Sequence, residues 1–173
     1  MNLNIYKMYP DVSGVKYGTQ NAACFDIAAH FHYQNSFKTY SKDNRDITIL
    51  GVQDENGKGY VDIPAEWRML IPTGLILDIP EGYSVRIHAR SGLAYKKGIN
   101  LLNCEGIIDS DYTDELKILL YNTSNIDFHI KHGDRIAQGE LVKSLDYTIE
   151  ECYTAPSQKT DRVGGFGSTG VST

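Results

Sequence analysis

The feature that most limits what this chain can become is the shortness of its hydrophobic runs. Apolar and polar residues alternate over brief stretches, as in Gly82 to His88 (GYSVRIH), Glu115 to Tyr121 (ELKILLY) and Tyr147 to Tyr153 (YTIEECY), and Gly, Pro, Asn or Asp closes the runs. A period of two places successive side chains on opposite faces, which is the pattern of a half-buried strand. Twelve Tyr and many Val, Ile and Thr suit pleated surfaces. No helical apolar period persists beyond about two turns, so at most one short helix is expected. Its place is Gly92 to Lys97, with Ser91 as the cap. Many short strands in close succession imply an all-β sandwich, jelly roll or barrel rather than a parallel α/β sheet.

A length of 173 residues suits one domain with a sizeable core. With 41% hydrophobic and 23% charged residues, the chain has the balance of an ordinary soluble protein. No apolar run approaches a signal or membrane segment, so a cytoplasmic protein without membrane contact is expected. The net charge of −5 speaks against a nucleic-acid binder, although Lys and Arg can still converge on a small phosphate ligand. Cys24, Cys104 and Cys152 are widely spaced, with no CxxC pair, and read as buried free thiols.

The expected body is residues 1–154, followed by a flexible Gly-rich arm over 155–173. Residues His30 to Asp62 look least organised. There Ser41 to Asp46 and Asp54 to Gly59 read as polar turns, the second as a hairpin tip between Ile47-Val52 and Tyr60-Ile63.

Gly106-Ile107-Ile108-Asp109-Ser110-Asp111-Tyr112 sets two carboxylates two positions apart before an aromatic, which offers a general base and a second acceptor for a water. Taken alone the pattern is weak, and an Asx turn between strands is the favoured reading. His88-Ala89-Arg90-Ser91-Gly92 joins a guanidinium and a hydroxyl at a helix start, which suits phosphate oxygens, or is simply a capped surface helix. Gly133 to Gln138 reads as a turn entering a buried strand, with Arg135 as a structural partner for a carboxylate. Arg162-Val163-Gly164-Gly165-Phe166-Gly167-Ser168-Thr169-Gly170 differs in kind. Glycines are costly to order, so an Arg and a Phe among them suggest a segment ordered by a ligand, with Ser168 and Thr169 near phosphate and Phe166 on a base. It lacks the GK[ST] of a Walker loop.

Five segments in order, Ala22 to Ile27, Arg90 to Ala94, Asn103 with Gly106 to Tyr112, Gly133 to Gln138, and Arg162 to Gly170, resemble the five motifs of trimeric dUTPases; Pro72-Thr73-Gly74 and Pro80 to Tyr83 resemble their linking residues. The resemblance implies a jelly-roll-like homotrimer whose C-terminal arm is exchanged between subunits, acting on dUTP to give dUMP and pyrophosphate. It implies that Asp109 activates the attacking water, that Arg162 is an arginine finger and that Asp26 supports the site through water or the surroundings of Asp109. It also implies that Asn103 reads uracil, Tyr112 excludes a 2′-hydroxyl, Arg90, Ser91 and Gln138 hold phosphates, and Phe166 covers the base. Ser168 and Thr169 would bind the γ-phosphate, and Gly92, Gly106, Ile108, Lys117 and Gly167 complete the substrate contacts. Mg²⁺ would be the cofactor, held by phosphates and water with no direct protein ligand.

Three departures stand out. Thr113-Asp114 follows Tyr112 where many members have Arg-Gly or Gln-Gly, one residue fewer separates Arg162 from Gly164-Gly165, and the region 30–62 is longer than in compact members. A dCTP deaminase is the related alternative, but it needs a Glu three positions before the Asn resembled by Asn122, and Leu119 stands there. A second alternative gives the inserted region a protein partner, with the nucleotide as a switch.

Overall fold

The computed structural model describes residues 1–32 and 35–161. Its strands in chain order are β1 (Asn4–Lys7), β2 (Lys16–Tyr17), β3 (Phe25–Ala28), β4 (Ser36–Tyr40), β5 (Asp46–Leu50), β6 (Val52–Gln53), β7 (Gly59–Ile63), β8 (Arg68–Pro72), β9 (Leu75–Asp78) and β10 (Tyr83–Ala89). One helix, α1 (Ser91–Lys97), precedes β11 (Ile99–Leu101), β12 (Gly106–Ile108), β13 (Lys117–Asn122), β14 (Phe128–Lys131) and β15 (Arg135–Lys143). The all-β expectation with one short helix holds.

Two five-stranded sheets, ordered β12-β10-β15-β3-β2 and β11-β13-β8-β4-β5, are joined by a three-stranded sheet β14-β7-β6 and the pair β1-β9. All pairings are antiparallel. Period two is visible in burial: Gly59, Val61 and Ile63 point inward on β7, and Ile118, Leu120 and Asn122 on β13. Phe25, Ile27, Phe37, Met69, Ile71, Val85, Ile118, Leu120 and Ile130 belong to one buried cluster drawn from three of the sheets. Each such side chain contributes roughly 1.5–3 kcal/mol by leaving water. Asn122 is one of several buried polar residues: its Nδ2 donates to Ile63 O at 2.9 Å and Ile126 O at 2.8 Å, satisfying carbonyls at the end of β7 and in the loop before β14.

Several local expectations need correction. Ser91 does not cap α1. Arg90 is the N-cap residue, its side chain makes no capping bond, and Ser91 is already helical. Residues 30–62 are more ordered than their composition suggests, because Ser41 to Arg45 close a β4–β5 hairpin with register Tyr40↔Asp46. The Asp54 to Lys58 hairpin tip is as expected: Asp54 N–H donates to Lys58 O at 2.9 Å, and Gly57 takes a positive φ of 74° that suits glycine. Tyr147 to Tyr153 forms no strand, and Leu145, Tyr147 and Ile149 are 81%, 73% and 80% exposed. The thiols are free, but only Cys24 is partly covered, while Cys104 and Cys152 face solvent. Arg162, Phe166, Gly167, Ser168 and Thr169 lie outside the described residues. Among those described, no helix is long and apolar enough to cross a membrane.

Candidate functional site

A bulge makes the first corner of the site. Strands β15 and β3 pair Arg135 with Ala28 and Gln138 with Asp26, and the register shifts between Arg135 and Ala137. In a regular strand residues three apart face opposite ways; the extra residue brings Arg135 and Gln138 to the same face as Asp26. Arg135 Nη1 then donates to Asp26 Oδ2 at 2.8 Å. From the end of β10, Arg90 Nε stands 3.2 Å from Asp26 Oδ1, and Arg90 Nη1 donates to Arg135 O at 3.1 Å. Two guanidiniums thus converge on one nearly buried carboxylate, with Gln138 opposite both Asp26 and His88. Arg90, fixed in this way with the amide of Gln138 beside it, suits a phosphate chain, while Arg135 is engaged with Asp26. Ser91 and Gly92 open α1 on the exposed surface next to Arg90.

The second corner is the turn from β11 to β12. Gly106 lies so close to β10 that a Cβ there would stand 3.0 Å from Ile87 Cβ, and Asn103 Nδ2 is 3.6 Å from the same point. Cys104 takes a positive φ of 62°, and Glu105 N–H donates to Asn103 O at 2.6 Å. The tight turn leaves Asn103 exposed with its amide free of any protein bond among the described residues, as a reader of a planar base edge requires. Past Ile108, Asp109, Ser110 and Asp111 form an exposed turn closed by Tyr112 N–H donating to Asp109 O at 3.2 Å. Tyr112 Oη donates to Glu115 O at 3.0 Å, which holds the ring across the turn. Burial, then the charges of Asp114 and Glu115, push the Tyr112 phenol above its usual value. Neither Thr113 nor Asp114 adopts a left-handed backbone, so this departure in sequence costs no strain. Lys117, at the start of β13, is exposed and lies 3.8 Å from Glu115.

These two corners do not meet within one chain. Ile108 pairs with Val85, so Asp109 leaves β12 beside the start of β10, whereas Arg90 follows its end. Five residues of strand separate Val85 from Arg90, or about 16 Å at roughly 3.3 Å per residue. A groove of about 780 Å³ between α1, residues 124–130 and the start of β15 is edged by Arg90 and Arg135, but not by Asn103, Asp109 or Tyr112. Within one chain Asp26 supports Arg90 and Arg135 directly and lies apart from Asp109.

Sequence reasoning also missed two clusters that no linear spacing announces. Cys24, His88 and Glu140 gather on the β3-β15-β10 sheet, where burial and then Glu140 raise the Cys24 thiol pKa. Asp11, His30 and His132 gather where three loops meet. The signal for the first was the strand register, since His88 and Glu140 lie two rungs apart across β10 and β15.

The dUTPase family model matches residues 58–170. Deoxyuridine 5'-triphosphate nucleotidohydrolase of Brucella melitensis biotype 2 is 53% identical over 105 residues, which cover 60% of this chain and 66% of that protein. The chain thus spans slightly less than two thirds of that relative. The enzyme of the same name from Rhizobium etli is 44% identical over 116 residues, covering 67% and 74% of the two chains. A structure of the Staphylococcus bacteriophage 80alpha dUTPase with dUpNHpp superimposes with a TM-score of 0.74 at 18% identity over 98% of this chain and 99% of that one. The superposition shows a shared fold.

Proposed function

Because the chain belongs to the dUTPase family, we propose that it hydrolyses dUTP to dUMP and pyrophosphate and does so as a homotrimer. The observation that carries the reading is the separation of Asp109 from Arg90 along β10, with Asp109 exposed and Arg90 half-buried against Asp26. A water-activating carboxylate and a phosphate-binding guanidinium that far apart can serve one substrate only if neighbouring copies complete each other's site. The exposed, alternating Leu145, Tyr147 and Ile149 suit a segment that lays one edge on another copy.

Asp109 accepts a proton from water as the oxygen attacks the α-phosphorus in line. The new P–O bond forms while the bond to the α,β-bridging oxygen breaks, and pyrophosphate leaves with those electrons. Arg90, held by Asp26 and backed by Ser91 and Gln138, meets the charge on the phosphate oxygens. Arg162 adds a guanidinium from the arm. Asn103 reads uracil, Tyr112 fills the space a 2′-hydroxyl would need, and Phe166 covers the base. Gly92, Gly106, Ile108, Lys117, Gly167, Ser168 and Thr169 line the remaining contacts. Mg²⁺ fits this donor set: the exposed Asp109 and Asp111 offer hard oxygens to its water shell, and when bound with substrate it neutralises phosphate charge.

Leu119, three positions before Asn122, supplies no carboxylate for the deaminase chemistry of the related fold. The test is pyrophosphate release from dUTP, dCTP, dTTP and UTP with Mg²⁺. Turnover of dUTP alone supports the proposal; ammonia release from dCTP, or no turnover of dUTP by the trimer, rejects it.

A further inference from the structure

Three of the five histidines converge on one carboxylate, far in sequence from Arg90, Asn103, Asp109 and Tyr112. His30 Nε2 lies 3.3 Å from Asp11 Oδ1, while His32 Nε2 and His132 Nε2 lie 3.8 and 4.0 Å from Asp11 Oδ2. We propose that Asp11, His30, His32 and His132 form a binding site for a zinc-class transition-metal dication that staples three loops of the barrel together.

The distances fit the chemistry. With metal–ligand bonds of roughly 2.0–2.1 Å, the edges of a tetrahedron are about 3.3–3.4 Å. The His30–Asp11 edge already has that length, and the ligand atoms of Asp11, His30 and His132 all lie within 4.8 Å of one another; His32 stands outside that group, 3.8 Å from Asp11, and its exposed ring has to turn in to complete the set. A set of three imidazoles and one carboxylate suits Zn²⁺ and its neighbours and not Mg²⁺, which demands oxygen.

The scaffold is assembled without the ion. Gly133 N–H donates to Ala29 O at 2.8 Å, and Ala29 N–H donates to Asp134 O at 2.8 Å, which locks residues 29–31 against 132–134. His30 N–H donates to Pro72 O at 3.0 Å, and the ring stacks on Tyr9 at 5.1 Å. Gly74 leaves the space that ring occupies, since a Cβ there would stand 3.0 Å from it. Phe31 N–H donates to His132 Nδ1 at 3.3 Å, so neutral His132 carries its proton on Nε2; ligation through Nε2 moves that proton to Nδ1, the ring stays neutral, and the one long contact with Phe31 is given up. A cavity of about 360 Å³ lined by Asp11, His32, His132 and Lys58 gives an ion a way in. The ligands come from position 11, positions 30 and 32, and position 132, so one ion would close one loop of about twenty residues and one of about a hundred, the longer of which constrains the unfolded chain more.

Equilibrium dialysis of the chelator-treated full chain against Zn²⁺ is expected to give about one equivalent that Mg²⁺ does not displace, with a melting temperature that climbs with free Zn²⁺. Co²⁺ in its place should give the intense visible bands of a tetrahedral site. Asp11→Asn and His32→Gln alter exposed side chains and leave the core intact; each should weaken Zn²⁺ binding by at least roughly 10–100-fold, the loss expected even from an outer partner of a metal ligand. Pyrophosphate release by these variants should match the parent. Unchanged binding in both variants would place the ion elsewhere, at Cys24, His88 and Glu140 for instance, and overturn the proposal, as would no binding above the Mg²⁺ background.

Discussion

Asp26 Oδ1 and Arg90 Nε lie 3.2 Å apart, both buried and neither in a hydrogen bond, although 64 positions separate them in sequence. The pair is an ion pair without a directed bond, while Arg135 takes the well-formed bond to the other oxygen at 2.8 Å. Arg90 is thus held by charge yet retains donors for a ligand. Asp26→Asn should keep the shape and remove the charge. It is expected to destabilise the chain by about 1–3 kcal/mol in denaturant unfolding, because two guanidiniums lose their counter-ion. It should also raise KM for dUTP more than it lowers kcat. Arg135→Gln is expected to affect stability alone; an equal rise in KM there would mean that Arg135 also binds phosphate.

Tyr112 offers a cleaner separation. Its hydroxyl serves Glu115 O, and its ring is the part placed against the sugar. Tyr112→Phe should cost about 0.5–1.5 kcal/mol of stability and leave rejection of UTP intact. Tyr112→Ala should relax that rejection. Steady-state comparison of dUTP with UTP decides, and an Ala variant as selective as the parent removes Tyr112 as the sugar gate.

The fold is legible in the sequence where burial is one-sided. GYSVRIH and ELKILLY announce β10 and β13 because alternation there has a core to satisfy. YTIEECY has the same alternation but forms no strand and finds no partner among the described residues, so alternation alone does not make a strand there. The β4–β5 hairpin hides behind Lys38, Asp43, Asn44 and Arg45, polar residues on an edge where one face meets water. At the site, Arg135 does serve as a structural partner for a carboxylate, but which carboxylate depends on a bulge that residue types do not encode. The histidine cluster is invisible for the same reason: offsets of twenty and a hundred residues carry no signal until strand order is known.

Asn122 tests the loop accounting directly. Its amide donates to the buried Ile63 O as well as to Ile126 O, so Asn122→Ala takes a donor from Ile63 O where water has no access, while Ile126 O keeps Ser124 Oγ at 3.0 Å. A loss of about 1–3 kcal/mol or more is expected, against a change within about 0.5 kcal/mol for a surface substitution such as Asn125→Ala. Similar midpoints for the two variants in urea would show that water reaches the Ile63 carbonyl after all.

Asp54 makes a prediction in pH. Its carboxylate accepts from Lys58 N–H and Asn56 N–H at 3.0 Å each and faces Lys131 at 3.4 Å. The Lys58 bond above all, then the Asn56 bond and Lys131, hold its pKa below 3.8 despite partial desolvation. A carboxylate with a lowered folded value contributes stability that is present above its unfolded pKa and is lost as pH falls through the folded one. The 54–58 turn should therefore loosen only below about pH 3.8. Amide exchange of Lys58 followed across that range should show protection falling with acid in the parent and low at every pH in Asp54→Ala.

The arm gives the sharpest test of the proposed chemistry. Residues 145–161 form no strand or helix, and Leu145, Tyr147, Ile149 and Tyr153 are exposed, so the barrel core owes little to the chain beyond β15. Deleting residues 162–173 should leave a folded chain with a melting temperature close to the parent's. Hydrolysis should nevertheless collapse, since the deletion removes Arg162 and Phe166 together, and a transition-state arginine is worth roughly 10³–10⁵ in rate. Arg162→Ala alone should show most of that loss. Uracil recognition by the Asn103 turn does not depend on the arm, so dUMP should bind both variants nearly as it binds the parent, while kcat for dUTP falls. Calorimetric titration with dUMP beside a steady-state assay separates binding from turnover. Near-normal turnover after the deletion would show that the single residue between Arg162 and Gly164 already keeps the guanidinium away from the phosphates, and that Arg90 and Asp109 carry the reaction without it.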